Sequence, residues 1–146
     1  MSFESLLAEG RLRRRKPTRA DVRQLMKLAV RDLADAVVEG LSADRRFLIA
    51  YEAALNLATI PILSSGYETH GSGHHWVTFQ LLPELMGKEY SQTATYFESC
   101  RVKLNVGTYD RGGEVSGSEA DELVAEAARF RSQVEQWLRD THPELT

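Results

Sequence analysis

A single cysteine, Cys100, stands in the whole chain. No internal disulfide can form, and nothing asks for an oxidising compartment. Ten glycines and four prolines in 146 residues are too few for a collagen-like or low-complexity chain. No apolar run approaches the ~20 residues that span a bilayer, so no membrane partner is expected. The start, Met1-Ser2-Phe3-Glu4-Ser5, lacks the basic n-region and apolar h-region of a secretory signal, and the expected location is the cytoplasm. The best-known chemical motifs are missing too. There is no phosphate-binding Gly-rich loop with its Lys, no Cys-x-x-Cys, no HExxH and no G-x-S-x-G. No cofactor is called for.

What is present is close to an average soluble protein: 42% hydrophobic, 27% charged, net charge -3. The length fits one domain. Charge is unevenly spread. Residues 1–70 carry 11 Lys+Arg against 9 Asp+Glu, and residues 71–146 carry 7 against 12. The positive excess is one cluster: Arg11, Arg13, Arg14, Arg15, Lys16, Arg19, Arg23 and Lys27. Residues 1–17 therefore read as a basic N-terminal arm, solvated or docked on the acidic half of a second copy. Residues 18–142 read as a single helical domain.

Helical spacing dominates that domain. Thr18 can cap a helix whose stripe is Val22, Leu25, Met26, Ala29, Leu33, Ala36 and Val37, with Gly40 as its stop. Ser42 and Asp44 start a second, with Phe47, Ala50, Tyr51, Ala54, Ala58 and Ile62 inward and Pro61 expected to end or kink it near Ile60. Residues 64–75, with three glycines, read as a loop. A shorter piece carries Trp76, Phe79 and Leu82, bent at Pro83 and ending near Gly87. Residues 88–106 form another helix, with Tyr90, Ala94, Phe97, Cys100 and Leu104 inward, and 107–117 a second loop. Ser116 and Glu119 have capping-box spacing for a last helix with Leu123, Ala127, Phe130, Val134, Trp137 and Leu138 inward, closed by His142-Pro143. No strand alternation is found. The expected fold is all-α, an up-and-down bundle of four main helices plus short extra ones.

Four features can carry chemistry. Arg101, Lys103, Asn105, Tyr109 and Asp110 crowd one helix end. Arg101 and Asn105, four apart, share a face; the same residues also suit a plain C-terminal turn that complements the helix dipole. His70, His74 and His75 lie beside Gly71 and Gly73, but no cysteine or placed carboxylate completes a ligand set, so no metal is expected. His74 and His75 equally suit the start of the Trp76 helix. The basic run can neutralise phosphates, although no aromatic residue is interleaved for base stacking. Cys100, beside Phe97, reads as a small core hydrophobe.

Taken in order, Ala50-Tyr51-Glu52-Ala53-Ala54-Leu55, Gly66-Tyr67 with Gly73-His74-His75, Asn105 through Tyr109-Asp110, and Val115-Ser116 before a Glu/Ala-rich helix resemble the HEPN family of helical-bundle proteins. The resemblance runs from about Thr18 to Leu138. It implies four main helices and a homodimer in which two motifs face each other. It also implies a setting among toxin–antitoxin, CRISPR or other defence systems, with an antitoxin or nucleotidyltransferase partner and an RNA or nucleotide ligand. Many members are metal-independent endoribonucleases whose motif Arg stabilises phosphate charge and whose motif His moves a proton. Aligning Asn105 with the motif Asn puts Leu104 at the Arg position and Tyr109 at the His position. A leucine cannot stabilise a phosphorane, and a phenol with a pKa near ~10 is a poor proton shuttle at neutral pH. The resemblance thus implies a catalytically degenerate member that binds through Arg101, Lys103, Asn105, Tyr109 and Asp110. The alternatives are an active ribonuclease using Arg101 with Tyr109, His74 or His75, and a small nucleic-acid binder using the basic arm.

Overall fold

The computed structural model describes residues 2–110 and 115–146, with side chains described for 2–105 and 115–146. The fold is all-α, a helical bundle with one small ribbon. Three of its four long helices begin at hydroxyl side chains that cap them. Helix α2 (Arg19–Asp35) starts at Thr18, whose Oγ1 accepts the Asp21 amide at 3.1 Å. Helix α3 (Ala43–Ser64) starts at Ser42, whose Oγ accepts from Arg45. Helix α7 (Gly117–Thr141) carries the full capping box: Ser116 Oγ accepts the Glu119 amide and Glu119 Oε1 accepts the Ser116 amide. Ser116→Ala removes one of those partners and should cost about 1 kcal/mol. That is a fall in Tm of roughly 2–4 °C for a chain of this size, readable by thermal circular dichroism, and Ser116→Thr should restore most of it.

The fourth long helix, α6, spans Ser91–Asp110. It continues past the expected end, so residues 107–110, expected in a loop, are helical. Between α3 and α6 lie the short helices α4 (His74–Gln80) and α5 (Leu82–Met86), broken at Leu81 just before Pro83. A 3-10 turn, Lys88–Tyr90, leads into α6.

Helix α3 is the centre of the bundle and packs chiefly on α2 and α7. Ala50, Ala53, Ala54 and Ala58 are fully buried, as are Ala29 on α2 and Ala120 and Ala127 on α7. Such small side chains let helix backbones approach closely, and larger ones, Leu57, Ile60, Leu123 and Phe130, fill what remains. Among the described residues α3 alone is long and apolar enough, with a mean hydropathy of 1.5, to meet the test for crossing a bilayer, contrary to the expectation that no segment would. Its most apolar window is 67% buried, as the core helix of a bundle requires.

Two expected helix ends are corrected. Pro61 neither ends nor breaks α3, which runs on to Ser64. A proline inside a helix costs about 3 kcal/mol. The turn around it buries Ile60, Ile62 and Leu63 almost completely, at roughly 1.5–3 kcal/mol each, so packing wins. Helix α2 stops at Asp35, well before Gly40. The two valines that would have extended it, Val37 and Val38, are 66% and 53% exposed. They have no surface to pack on, and consecutive β-branched residues do not favour helix.

The larger correction concerns residues 1–17. Residues 2–17 are not a solvated arm. Helix α1 (Phe3–Ala8) is capped by Ser2, and strand β1 (Leu12–Arg14) pairs antiparallel with β2 (Tyr67–Thr69) in the register Leu12↔Thr69, Arg13↔Glu68, Arg14↔Tyr67. Leu6 and Leu12 are buried with Ile62, Val77 and Leu81 in a second, smaller core, with Phe3, Tyr67 and Trp76 packed around it. A period-two signal cannot be read in strands of three residues, and burying two leucines needs no long stripe. Cys100 is a buried core residue, as expected, and burial raises its thiol pKa to about 11.

Candidate functional site

Helices α3 and α6 diverge enough to leave a cavity of about 580 Å³ between them. Positions 48, 51, 52, 55 and 56 of α3 follow the i, i+3, i+4, i+7, i+8 rule of one helix face, and so do 101, 104 and 105 of α6. The sequence places Leu48, Tyr51, Glu52, Leu55 and Asn56 on the first wall and Arg101, Leu104 and Asn105 on the second, with His75 from the first turn of α4 joining them. Gly73, at φ +74°, turns the chain into that first turn, and a Cβ there would sit 3.2 Å from Arg11 Nη2. A side chain at this position would strain the turn that delivers His75.

Tyr51 and His75 share a hydrogen bond of 3.2 Å between the phenol oxygen and Nδ1. It is satisfied when the phenol O–H donates and the neutral ring keeps its proton on Nε2. Burial raises the Tyr51 pKa well above its usual value, so the phenol stays protonated. Burial, then the neighbouring His74 and Arg101, lowers the His75 pKa below its ordinary 6.5. His74 stands edge-on to His75, ring centroids 4.4 Å apart. Arg101 is gripped by Glu98, with Nε 2.6 Å and 3.1 Å from its two carboxylate oxygens. That hydrogen bond raises the guanidinium pKa further, and the group is a permanent cation.

The depressed His75 pKa has a sign that can be checked. The unfolded imidazole takes up a proton at higher pH than the folded one. Its contribution to stability is therefore complete above pH 6.5 and is lost as pH falls through the lower folded value. The expected outcome is a Tm that declines from pH 7 toward 5 more steeply in the parent protein than in His75→Asn, with an NMR titration midpoint for His75 below 6.5.

Of the residues expected at the site, the structure brings together Arg101, Asn105 and His75. Lys103 is a correction. Two positions along from Arg101 it faces elsewhere and pairs with Glu119 at 2.6 Å, which, with the cap at Ser116, lowers the Glu119 pKa to about 2. It belongs to the α6–α7 seam. His74 touches His75 and is exposed, and His70 is exposed in the link before α4. The side chains of Tyr109 and Asp110 lie outside the described residues. Among the described residues no three His, Cys, Asp or Glu side chains gather into a metal-binding group.

Three lining residues carry no site role at the sequence level: Tyr51 and Glu52 appear there only through the helix stripe and the segment 50–55, and Asn56 is not singled out. The signal for them is the polar pair Glu52 and Asn56, four apart on a helix that is otherwise among the most apolar stretches of the chain. No family model, no curated protein and no solved structure matches this chain.

Proposed function

We propose that this chain is a HEPN-like bundle that binds and does not cut: its α3–α6 cavity holds one nucleotide unit, free or within RNA. The observation that carries the reading is the convergence of Tyr51, His75, Arg101 and Asn105 on one cavity of about 580 Å³, a volume in the range of small-molecule sites. Leu48, Leu55 and Leu104 supply apolar walls for a base, and the half-buried ring of His75 supplies a flat face. The side-chain amides of Asn56 and Asn105 donate and accept, as base edges require. Arg101 supplies the charge for one phosphate. Glu52 in the wall and Glu98 on Arg101 set a limit on that charge, since further phosphates would meet carboxylates. The resemblance adds a homodimer, a cytoplasmic toxin–antitoxin or defence setting, and an antitoxin or nucleotidyltransferase partner.

The test is calorimetric titration with a nucleoside, its monophosphate and its triphosphate, beside prolonged incubation with a short RNA. The expected order is monophosphate tightest and triphosphate weaker, with the RNA intact. Absence of binding by all three at millimolar concentration, or a clear triphosphate preference, would reject the reading.

One observation favours a second reading, an active metal-independent endoribonuclease: Arg101 and His75 line the same cavity. A neutral His75 can accept a proton from a 2′-hydroxyl, although Tyr51 already occupies its Nδ1. RNA cleavage that disappears in His75→Ala would move the assignment to this second reading.

A further inference from the structure

The ribbon and the start of α2 form a cationic face separate from the cavity. Arg13, Arg14, Arg15 and Lys16 are exposed along β1 and just after it. Arg19, Arg23 and Lys27, also exposed, follow four apart on one side of α2. With Arg11 this makes eight cations. Among the described residues the carboxylates that pair with them are three: Glu9, Asp21 and Glu68. Glu68 is shared, lying 3.1 Å from both Arg13 and Arg15. Arg19 donates to the main-chain oxygen of Glu144, and Arg23 to an oxygen of Thr146. Arg11, which also pairs with Glu9 at 4.0 Å, and Arg14 rest over the rings of Trp76 and Tyr67, at 5.3 Å and 5.8 Å.

The spacing is regular as well as dense. Residues two apart on a strand repeat at about 6–7 Å, and residues four apart on a helix at about 6 Å. Arg13 and Arg15, two apart on the ribbon, and Arg19, Arg23 and Lys27, four apart on α2, keep that repeat, which is close to the step between successive phosphates of an extended strand; Arg14, turned the other way over Tyr67, is not part of the row. The chain as a whole is acidic, so this face is a local feature and not a property of overall charge.

We infer that this basic face is a binding site for the phosphodiester backbone of nucleic acid, independent of whatever occupies the cavity. Sequence-specific readout is not part of the inference, because the exposed groups are cations that engage phosphates alike in any sequence.

The experiment is fluorescence anisotropy of the full chain with a labelled single-stranded RNA and, in a second arm, a duplex DNA, across 50–200 mM salt. If about four phosphates are neutralised, the affinity for the single strand falls roughly 50-fold over that range. Lys16→Glu/Arg23→Glu should weaken binding more than tenfold at fixed salt. Arg129→Glu/Arg131→Glu makes the same charge change on α7 and should leave binding within about twofold. Lys16→Glu/Arg23→Glu should leave nucleoside monophosphate binding in the cavity unchanged, so failure here and failure of the nucleotide site are distinguishable. Tighter binding in the RNA arm identifies a single strand as the ligand, and tighter binding in the DNA arm a duplex. A flat salt dependence, equal losses in the two reversal pairs, or no binding at 50 mM salt would overturn the inference. So would a reversal that changes only the oligomeric mass in solution, since the face would then join copies of the chain.

Discussion

Replacing Phe97 by alanine should cost about 3–5 kcal/mol, the range for emptying a fully buried aromatic site. Phe97 is fully buried on α6, with ring centroids 5.6 Å from Phe79 of α4 and 5.3 Å from Phe130 of α7. One truncation therefore loosens three helices at once. Against a total stability of about 5–15 kcal/mol the loss is large, and Tm should fall by roughly 10 °C. Phe97→Leu retains most of the volume and should cost much less. Urea denaturation of the three proteins checks the order; a loss below about 1 kcal/mol for alanine would mean that α6 is not seated on this aromatic cluster.

Arg101→Ala should weaken binding of a nucleoside monophosphate by about 10- to 100-fold, the equivalent of one charged hydrogen-bonding group at ~1.5–3 kcal/mol. The corresponding nucleoside, which has no phosphate, should bind nearly as before. Glu98 is left without its guanidinium partner in the same variant, which adds repulsion toward any anion. Arg101→Lys keeps the charge but loses the two-point grip, and should fall between the two. Lys103→Ala should leave both affinities unchanged, because its ammonium is held by Glu119 on the other side of α6. Equal losses for nucleoside and monophosphate would place the phosphate elsewhere.

The parts of this fold that could be read from sequence are those governed by local chemistry. Thr18, Ser42 and Ser116 cap helices because a hydroxyl at that point satisfies an amide within three residues. The stripes through Phe47, Ala54 and Leu123 are inward because their spacing leaves no other choice. What escaped depends on contacts distant in sequence. Nothing near Pro61 announces that Ile62 will meet Leu6 and Leu12. The ribbon pairs residues 12–14 with 67–69, and neither half is long enough to show an alternation of its own. The site divides in the same way. Arg101 and Asn105 share a helix face by arithmetic, whereas Tyr51 and His75 join them only through the packing of α3 and α4 against α6. Lys103 was misassigned because nearness in sequence stood in for direction: two residues along a helix is more than half a turn away.

The seal that Leu6 and Leu12 form has a practical side. A chain produced without its first seventeen residues would carry Ile62, Val77 and Leu81 bare to water, with β2 left as an open edge beside them. Bare aliphatics next to an unpaired strand recruit other chains. Such a shortened protein would gather into aggregates and lose every ligand together, whichever surface that ligand prefers.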